Sequence, residues 1–326
     1  MNVAVIGLGL IGGSLLRALA AHGHRVTGYD AGAETREAAR ALARPAPGDR
    51  TTGDAWHVAE SVAEAVAGTE VAVLAVPLPA IPDVLAGLDG YPGLITDVTS
   101  VKGPVRDLLG DRRFVGGHPM AGKESSGFPA TDPRLFDGCA WVLCLEPDDA
   151  DPADWLALAR LFTRIGARVV PVTAAEHDRA VAAISHVPHL LAAALSGVLE
   201  GNPLAGTLAA GSFRDGTRVA ATRPELIAAM CGGNAPAVRR VLAGVIDDLE
   251  SFARELELGD PIAALTAGLR RPSELRRAWP PGPGEPVEVP AEVEALLALG
   301  RAGGWVSAIN DGTVAGLRPE TDRNRS

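Results

Sequence analysis

The 326-residue chain has only three cysteines, Cys139, Cys144 and Cys231. An odd count, with no Cys-x-x-Cys and no nearby histidine pair at ligand spacing, argues against a disulfide framework and a metal site and fits a reducing cytoplasm. Lysine is scarcer still, since Lys102 and Lys123 are the only two among thirty basic residues. No uninterrupted apolar stretch of about 18 residues occurs, which excludes an obvious membrane span. The apolar N-terminus has no basic residue ahead of it and is studded with glycines, so it reads as core rather than as a signal peptide. Internal repeats are absent. Forty acidic residues against thirty basic ones leave a net charge of −10. Nucleic acid and anionic membrane are poor partners for such a surface, and a small molecule is the expected one.

What is present is a hydrophobic content of 47%, ample for large cores. Short β-prone runs at residues 2–6, 25–29, 71–76, 94–97 and 114–116 are separated by helix-like stretches. That alternation predicts an α/β fold, a Rossmann-type doubly wound parallel sheet. Further strands are expected at 140–145 and 168–172, joined by a helix over 154–165. Thr173-Ala174-Ala175-Glu176 is a capping box, and it opens a long alanine-rich region without strand candidates to about residue 277. The expected organisation is therefore an α/β domain over 1–172 and a mostly α-helical domain over 173–279. A proline-rich linker and short C-terminal tail fill 280–326, with a helix-like piece at 291–299 and a hairpin signal at Asn310-Asp311-Gly312.

Gly7-Leu8-Gly9-Leu10-Ile11-Gly12 is a GxGxxG between a strand and a helix. Gly7 permits the tight turn, Gly9 lets backbone approach a pyrophosphate, and Gly12 lets helix and strand pack closely. Asp30 ends the second strand, where a carboxylate accepts from a ribose 2′-OH and repels a 2′-phosphate. NAD is thus the expected cofactor, with nearby Arg36 the one residue that speaks for NADP. The candidate cofactor contacts are Gly7, Gly9, Leu10, Ile11, Gly12 and Asp30, with Val76 and Pro77 at the end of a later strand.

Polar islands interrupt the Ala/Val/Leu-rich background. Thr96-Asp97-Val98-Thr99-Ser100-Val101-Lys102 and residues 116–127, Gly-Gly-His-Pro-Met-Ala-Gly-Lys-Glu-Ser-Ser-Gly, each follow a strand, where ligands sit in this fold. Ser100 and His118 thereby fall at one crevice, and a hydroxyl beside an imidazole can fix its orientation and tautomer for general-base work. A third island holds His177-Asp178 and Ser185-His186-Val187-Pro188-His189. Spacings of 7 and 4 place Asp178, Ser185 and His189 on one helical stripe, and Pro188 should kink that helix or free a carbonyl. Residues 211–218, Gly-Ser-Phe-Arg-Asp-Gly-Thr-Arg, offer Arg218 as a fork donor for a carboxylate, although an exposed turn would look the same.

Taken together, GLGLIGGS at 7–14, TDVTSVK at 96–102, GGHPMAGKESSG at 116–127, HD at 177–178, SHVPH at 185–189 and GSFRDGTRVA at 211–220 resemble the prephenate dehydrogenase family, with its arogenate and cyclohexadienyl relatives. The resemblance spans about the first 220 residues. It implies NAD-dependent oxidative decarboxylation of prephenate to 4-hydroxyphenylpyruvate, toward tyrosine, without a metal. By the same resemblance His118 is the base on the ring hydroxyl and Ser100 contacts that hydroxyl and His118. Arg218 binds a substrate carboxylate, His189 and Ser185 belong to the substrate pocket, and Lys123 and Glu124 stand at its entrance. The resemblance further assigns NAD binding to the domain over 1–172 and substrate binding and dimerisation to the helical domain over 173–279, and so implies a homodimer built through the latter. Where some relatives carry a tryptophan after the arginine segment, this chain has Pro224-Glu225-Leu226-Ile227. The alternatives are an arogenate dehydrogenase, a 3-hydroxyacid dehydrogenase, or a non-catalytic NAD-binding sensor.

Overall fold

The computed structural model of the chain describes residues 1–43, 55–123, 125–147, 152–282 and 284–319. They divide into two compact units, one falling within residues 1–177 and 285–318 and the other within residues 178–284 together with Pro319.

The first unit begins with β1 (Asn2–Ile6), α1 (Leu10–Ala21), β2 (Arg25–Tyr29), α2 (Ala33–Ala43), β3 (His57–Val58), α3 (Val62–Val66), β4 (Val71–Leu74), α4 (Ile81–Ala86), β5 (Leu94–Asp97), α5 (Gly103–Leu109) and β6 (Phe114–Val115). The strands form one all-parallel sheet in the order β3-β2-β1-β4-β5-β6. Parallel strands covered on both faces read as unbroken apolar runs, as Val3, Ala4, Val5 and Ile6 do, each essentially inaccessible. From β1 the chain moves to β2 and β3 on one side and then crosses to β4 on the other side of β1, so the turn after β1 sits at the switch point where nucleotides bind.

The later strands do not extend that sheet. β7 (Gly117–Pro119), β8 (Ala140–Cys144) and β9 (Arg168–Val172), with α6 (Pro152–Arg164) before β9, belong to a second, mixed sheet in the order β10-β12-β11-β9-β8-β7. One buried cluster joins the two sheets, with Val3 and Val5 of β1, Leu15 and Leu16 of α1, Leu143 of β8, Trp155 and Phe162 of α6 and Val169 of β9 in continuous contact. Trp141 stacks on Phe162 with ring centroids 3.9 Å apart, and Trp155 Nε1 donates to Leu143 O at 3.2 Å.

The second unit is helical. α7 (Ala174–Val181) starts in the first unit and runs on through a π-helical turn (Ala182–His186) into α8 (Val187–Ser196). α9 (Pro203–Leu208), α10 (Gly211–Thr217), α11 (Pro224–Gly233), α12 (Ala235–Leu256) and α13 (Pro261–Arg277) follow. The run Ala174–Leu199 is long and apolar enough to cross a membrane by length and composition alone. Its Ala182 and Val187 are instead buried against Ala237 and Val238 of α12.

The expected linker and tail are corrected. Glu285–Pro290 is a strand, β10, followed by α14 (Val293–Arg301), β11 (Trp305–Ile309) and β12 (Thr313–Arg318). β11 and β12 flank the Asn310–Gly312 hairpin, and β11 pairs with β9. Pro286 and Pro290 disguise β10 because proline supplies no ladder donor. They are tolerated because β10 is the sheet's edge, paired to β12 alone.

Candidate active site

The glycine loop has the shape a pyrophosphate needs. Gly7 has φ +98°, and a Cβ there would lie 2.4 Å from Ala75 O and 2.9 Å from Val76 Cγ1, so only glycine lets the turn rest on the end of β4. A Cβ on Gly12 would meet Gly7 O at 1.9 Å, whereas one on Gly9 would meet nothing within 4 Å. The outer face of the turn is thus open at Gly9 and closed at its packed side. The first intrahelical bond of α1 is Gly13 N–H to Gly9 O at 2.8 Å. The N–H groups of Leu10, Ile11 and Gly12 come before it and point out of the helix N-terminus, where they suit an anion. Pro77 caps a short 3-10 turn (Leu78–Ala80) directly after Val76.

Asp30 does more than the sequence implied. Its Oδ2 accepts from Leu8 N–H at 2.7 Å and its Oδ1 from Gly32 N–H at 2.8 Å, so it braces the glycine loop. Each carboxylate oxygen keeps a further lone pair for a ribose hydroxyl. Arg36 Nη1 donates to Asp30 O at 2.8 Å and Ala31 O at 3.1 Å, and its Nε to Glu60 at 3.2 Å. That guanidinium is held by carbonyls and faces a carboxylate, which is a setting for NAD rather than for a 2′-phosphate.

His118 reaches its place through strand register. In β7 it pairs with Val142 of β8, and Val142 lies on the sheet face covered by Ala174 at the start of α7. One turn along α7 from Ala174, on the same side, stands His177. His118 Nδ1 and His177 Nε2 are 2.9 Å apart, with the rings edge to face at 79°. His177 is buried at 2% exposure and His118 is half-buried. The sequence assigned the orienting role to Ser100 and left His177 out of the site. The signal was there in the capping box, which sets where α7 begins and hence which residue faces β7. Glu176 Oε2 accepts from Thr173 N–H at 2.9 Å, and Glu176 N–H donates to Thr173 Oγ1 at 3.2 Å. Burial pushes the Glu176 carboxyl upward, but the Thr173 N–H and the Arg301 guanidinium outweigh it and hold it below the usual carboxylate range.

Ser100 lies in the loop after β5, half-buried, in the same unit as His118. Lys123 Nζ pairs with Asp132 at 2.9 Å and draws the Asp132 carboxyl downward. Asp132 N–H donates to Ser14 Oγ at 3.0 Å, and Arg17 Nη1 donates to Thr131 O at 2.5 Å, so the segment after His118 is tied back to α1 beside the glycine loop. Glu124 lies outside the described residues.

In the second unit His189 Nδ1 lies 2.8 Å from Ser185 O, which puts both candidates together. Ser185 Oγ is 3.9 Å from Met230 Sδ. The π-helical turn over Ala182–His186 breaks the expected stripe, because one wide turn shifts Asp178 out of register with Ser185 and His189. The segment at 211–217 is the helix α10 rather than a turn, exposed over most of its length, and Arg218, itself exposed, opens a 3-10 turn (Arg218–Ala221) packed on α8, the helix that bears His189.

Residues 15–171 match the family profile described as the prephenate dehydrogenase nucleotide-binding domain, and residues 173–270 the one described as the prephenate dehydrogenase dimerization domain. The chain belongs to the prephenate dehydrogenase family. It is accordingly an NAD-dependent oxidoreductase. The cyclohexadienyl dehydrogenase of Zymomonas mobilis is 37% identical over 269 residues, 77% of this chain and 87% of that one. The arogenate dehydrogenase of Synechocystis superposes with a TM-score of 0.72 at 28% identity, covering 86% of this chain and all of the other. The prephenate dehydrogenase of Aquifex aeolicus, solved with hydroxyphenyl propionate and NAD+, gives 0.74 at 25% identity over 85% of this chain and 97% of the other. Residues 285–318 lie outside both family profiles.

Proposed function

We propose that the chain oxidatively decarboxylates prephenate to 4-hydroxyphenylpyruvate, with His118 as the general base. The observation that carries this reading is the 2.9 Å contact of His118 Nδ1 with His177 Nε2. With the proton on His118 Nδ1 donated to His177, the lone pair of His118 Nε2 is the basic one, as a base acting on a hydroxyl requires. Gly7, Gly9, Leu10, Ile11, Gly12, Asp30, Val76 and Pro77 would hold NAD, which would supply the hydride acceptor. His118 Nε2 takes the proton of the ring 4-hydroxyl as hydride leaves the same carbon. Scission of the bond to the ring carboxylate then releases carbon dioxide, its electron pair aromatises the ring, and the phenolic oxygen recovers the proton from His118. Ser100 holds the hydroxyl toward His118. Arg218 binds a substrate carboxylate through its fork of donors, His189 and Ser185 shape the pocket, and Lys123 and Glu124 stand at its entrance.

The chain works as a cytoplasmic homodimer in this reading. None of its three cysteines is in a disulfide, and exposed apolar side chains are numerous on the second unit, among them Leu204, Leu208, Ile246, Leu249 and Ile262.

The test is NADH formation by the purified protein with NAD and either prephenate or arogenate. Turnover of prephenate is expected, and His118→Asn should lower kcat by about 1,000-fold while leaving NAD affinity in place. A preference for arogenate would keep the roles and change the substrate. Silence with both substrates would overturn the reading.

A further inference from the structure

Asp97 and Lys102 belong to the TDVTSVK segment, and nothing in the chemistry above uses them. Their side chains are 0% and 1% exposed and paired with each other. Lys102 Nζ also donates to Gly117 O at 2.6 Å, while Asp97 Oδ1 accepts from Gly117 N–H at 3.0 Å. One buried ion pair therefore holds both backbone groups of the residue that precedes His118. It holds the other loop as well. Asp97 Oδ2 accepts from Thr99 N–H at 3.0 Å, Thr99 Oγ1 lies 2.9 Å from Val101 O, and Lys102 Nζ lies 3.2 Å from Thr99 Oγ1. Ser100 stands between Thr99 and Val101, so its backbone is pinned on both sides. A Cβ on Gly117 would lie 2.6 Å from Asp97 O and 3.0 Å from Thr96 Oγ1, which shows how closely β7 is drawn onto the end of β5.

We propose that the Asp97–Lys102 pair is a positioning clasp, which fixes Ser100 and His118 at one spacing without touching substrate. The physical reason is that a buried ion pair is a weak source of stability, because desolvating two charges offsets their attraction. An apolar pair would hold the strands together as well, but it could not bind the N–H and the C=O of one peptide-bearing residue at once. Lysine in a chain that uses arginine almost everywhere fits the same role, since a compact ammonium reaches three acceptors that a planar fork does not. The clasp rests on the reading of Ser100 and His118 proposed above.

The test is the double variant Asp97→Asn/Lys102→Met, which leaves no single buried charge unpaired. Its circular dichroism should remain native, its NAD affinity and its KM for prephenate should stay within about threefold, and its kcat should fall about 100-fold, as an ångström-scale misplacement of reacting groups does. In histidine-labelled protein, the His118 imidazole resonance, assigned by its loss in His118→Asn, should shift while that of His57 does not. A folded double variant with kcat within threefold of wild type, or an unmoved His118 resonance, would overturn the clasp. Should the double variant not fold, Lys102→Arg keeps the charge and changes only the donor geometry, and it should still lower kcat about tenfold. An unchanged kcat there would overturn the proposal equally. If the wild-type enzyme turns over neither prephenate nor arogenate, the functional reading falls and the resonance shift alone decides the clasp.

Discussion

At the residue scale the chemistry rests on the tautomer of one imidazole. His177 is buried against His118, and in the proposed tautomer its Nε2 accepts the Nδ1 proton, the part a carboxylate plays in other histidine-based sites. His177→Leu removes that acceptor, so the contact no longer selects which His118 nitrogen carries the proton. A drop in kcat of about 100-fold at nearly constant NAD affinity is expected, and His177→Gln, whose amide oxygen accepts, should recover at least part of it. Steady-state kinetics beside an NAD titration would decide between orientation and mere packing. The cysteines behave in the opposite sense. Burial pushes the Cys139 thiol up to about 11 and raises Cys231 as well. With a pKa near 11 only about one Cys139 in a thousand is thiolate at pH 8. A thiol reagent at that pH should therefore label Cys139 in the native protein far more slowly than in the unfolded chain, and the contrast is read directly by labelling with and without denaturant.

At the element scale the C-terminal strands are part of the first unit's core. Leu296, Leu297 and Leu299 of α14, Val306 of β11 and Val314 of β12 are all buried in the cluster that also holds Trp155 and Phe162. Fully burying such an aliphatic side chain contributes about 1.5–3 kcal/mol. Ending the chain at residue 284 would forfeit five of them and leave β9 paired on its β8 side alone, a loss comparable to the whole stability of a domain. The truncated protein is expected to lose cooperative thermal unfolding, and Leu299→Ala alone should cost about 2–5 kcal/mol by denaturant titration. The truncation also removes Arg301, whose Nε donates to Glu176 Oε1 at 2.6 Å where α7 begins. Since the Glu176 carboxyl is held below its usual range, this contact stabilises the start of α7 at neutral pH and is lost as the pH falls through the lowered pKa.

At the scale of the whole molecule, the distribution of apolar surface distinguishes the two units. Of the large hydrophobic side chains that are exposed, most fall in the second unit, with Ile262 at 79% and Leu208 at 70%. Large apolar side chains exposed in such number call for a cover, and a self-complementary interface is the commonest one. Light scattering behind size exclusion should give twice the 33.5 kDa of one chain at micromolar concentration. Placing charges on that surface, as in Leu208→Asp/Ile262→Asp, should shift the protein toward monomer and lower its thermal midpoint. A wild-type monomer would refute the dimer.

Much of this architecture was legible before any coordinates. Five of the six strands of the parallel sheet, the glycine loop, Asp30, the α6 span and the capping box at Thr173 are local signals, carried by apolar period, glycine placement and side-chain caps within a few residues of one another, whereas the two-residue β3 carries none. Ser100 does follow the end of β5, but His118, expected in a loop past a strand, stands inside β7 of the second sheet. What the sequence could not decide depends on partners distant along the chain. Whether Ala140–Cys144 extends the first sheet or builds a second, whether a proline-rich stretch is a linker or an edge strand, and which residue meets His118 Nδ1 are all settled by pairing and register. A backbone hydrogen bond or a buried ion pair such as Asp97–Lys102 carries no mark of its partner in the residue type, so only the folded chain assigns it.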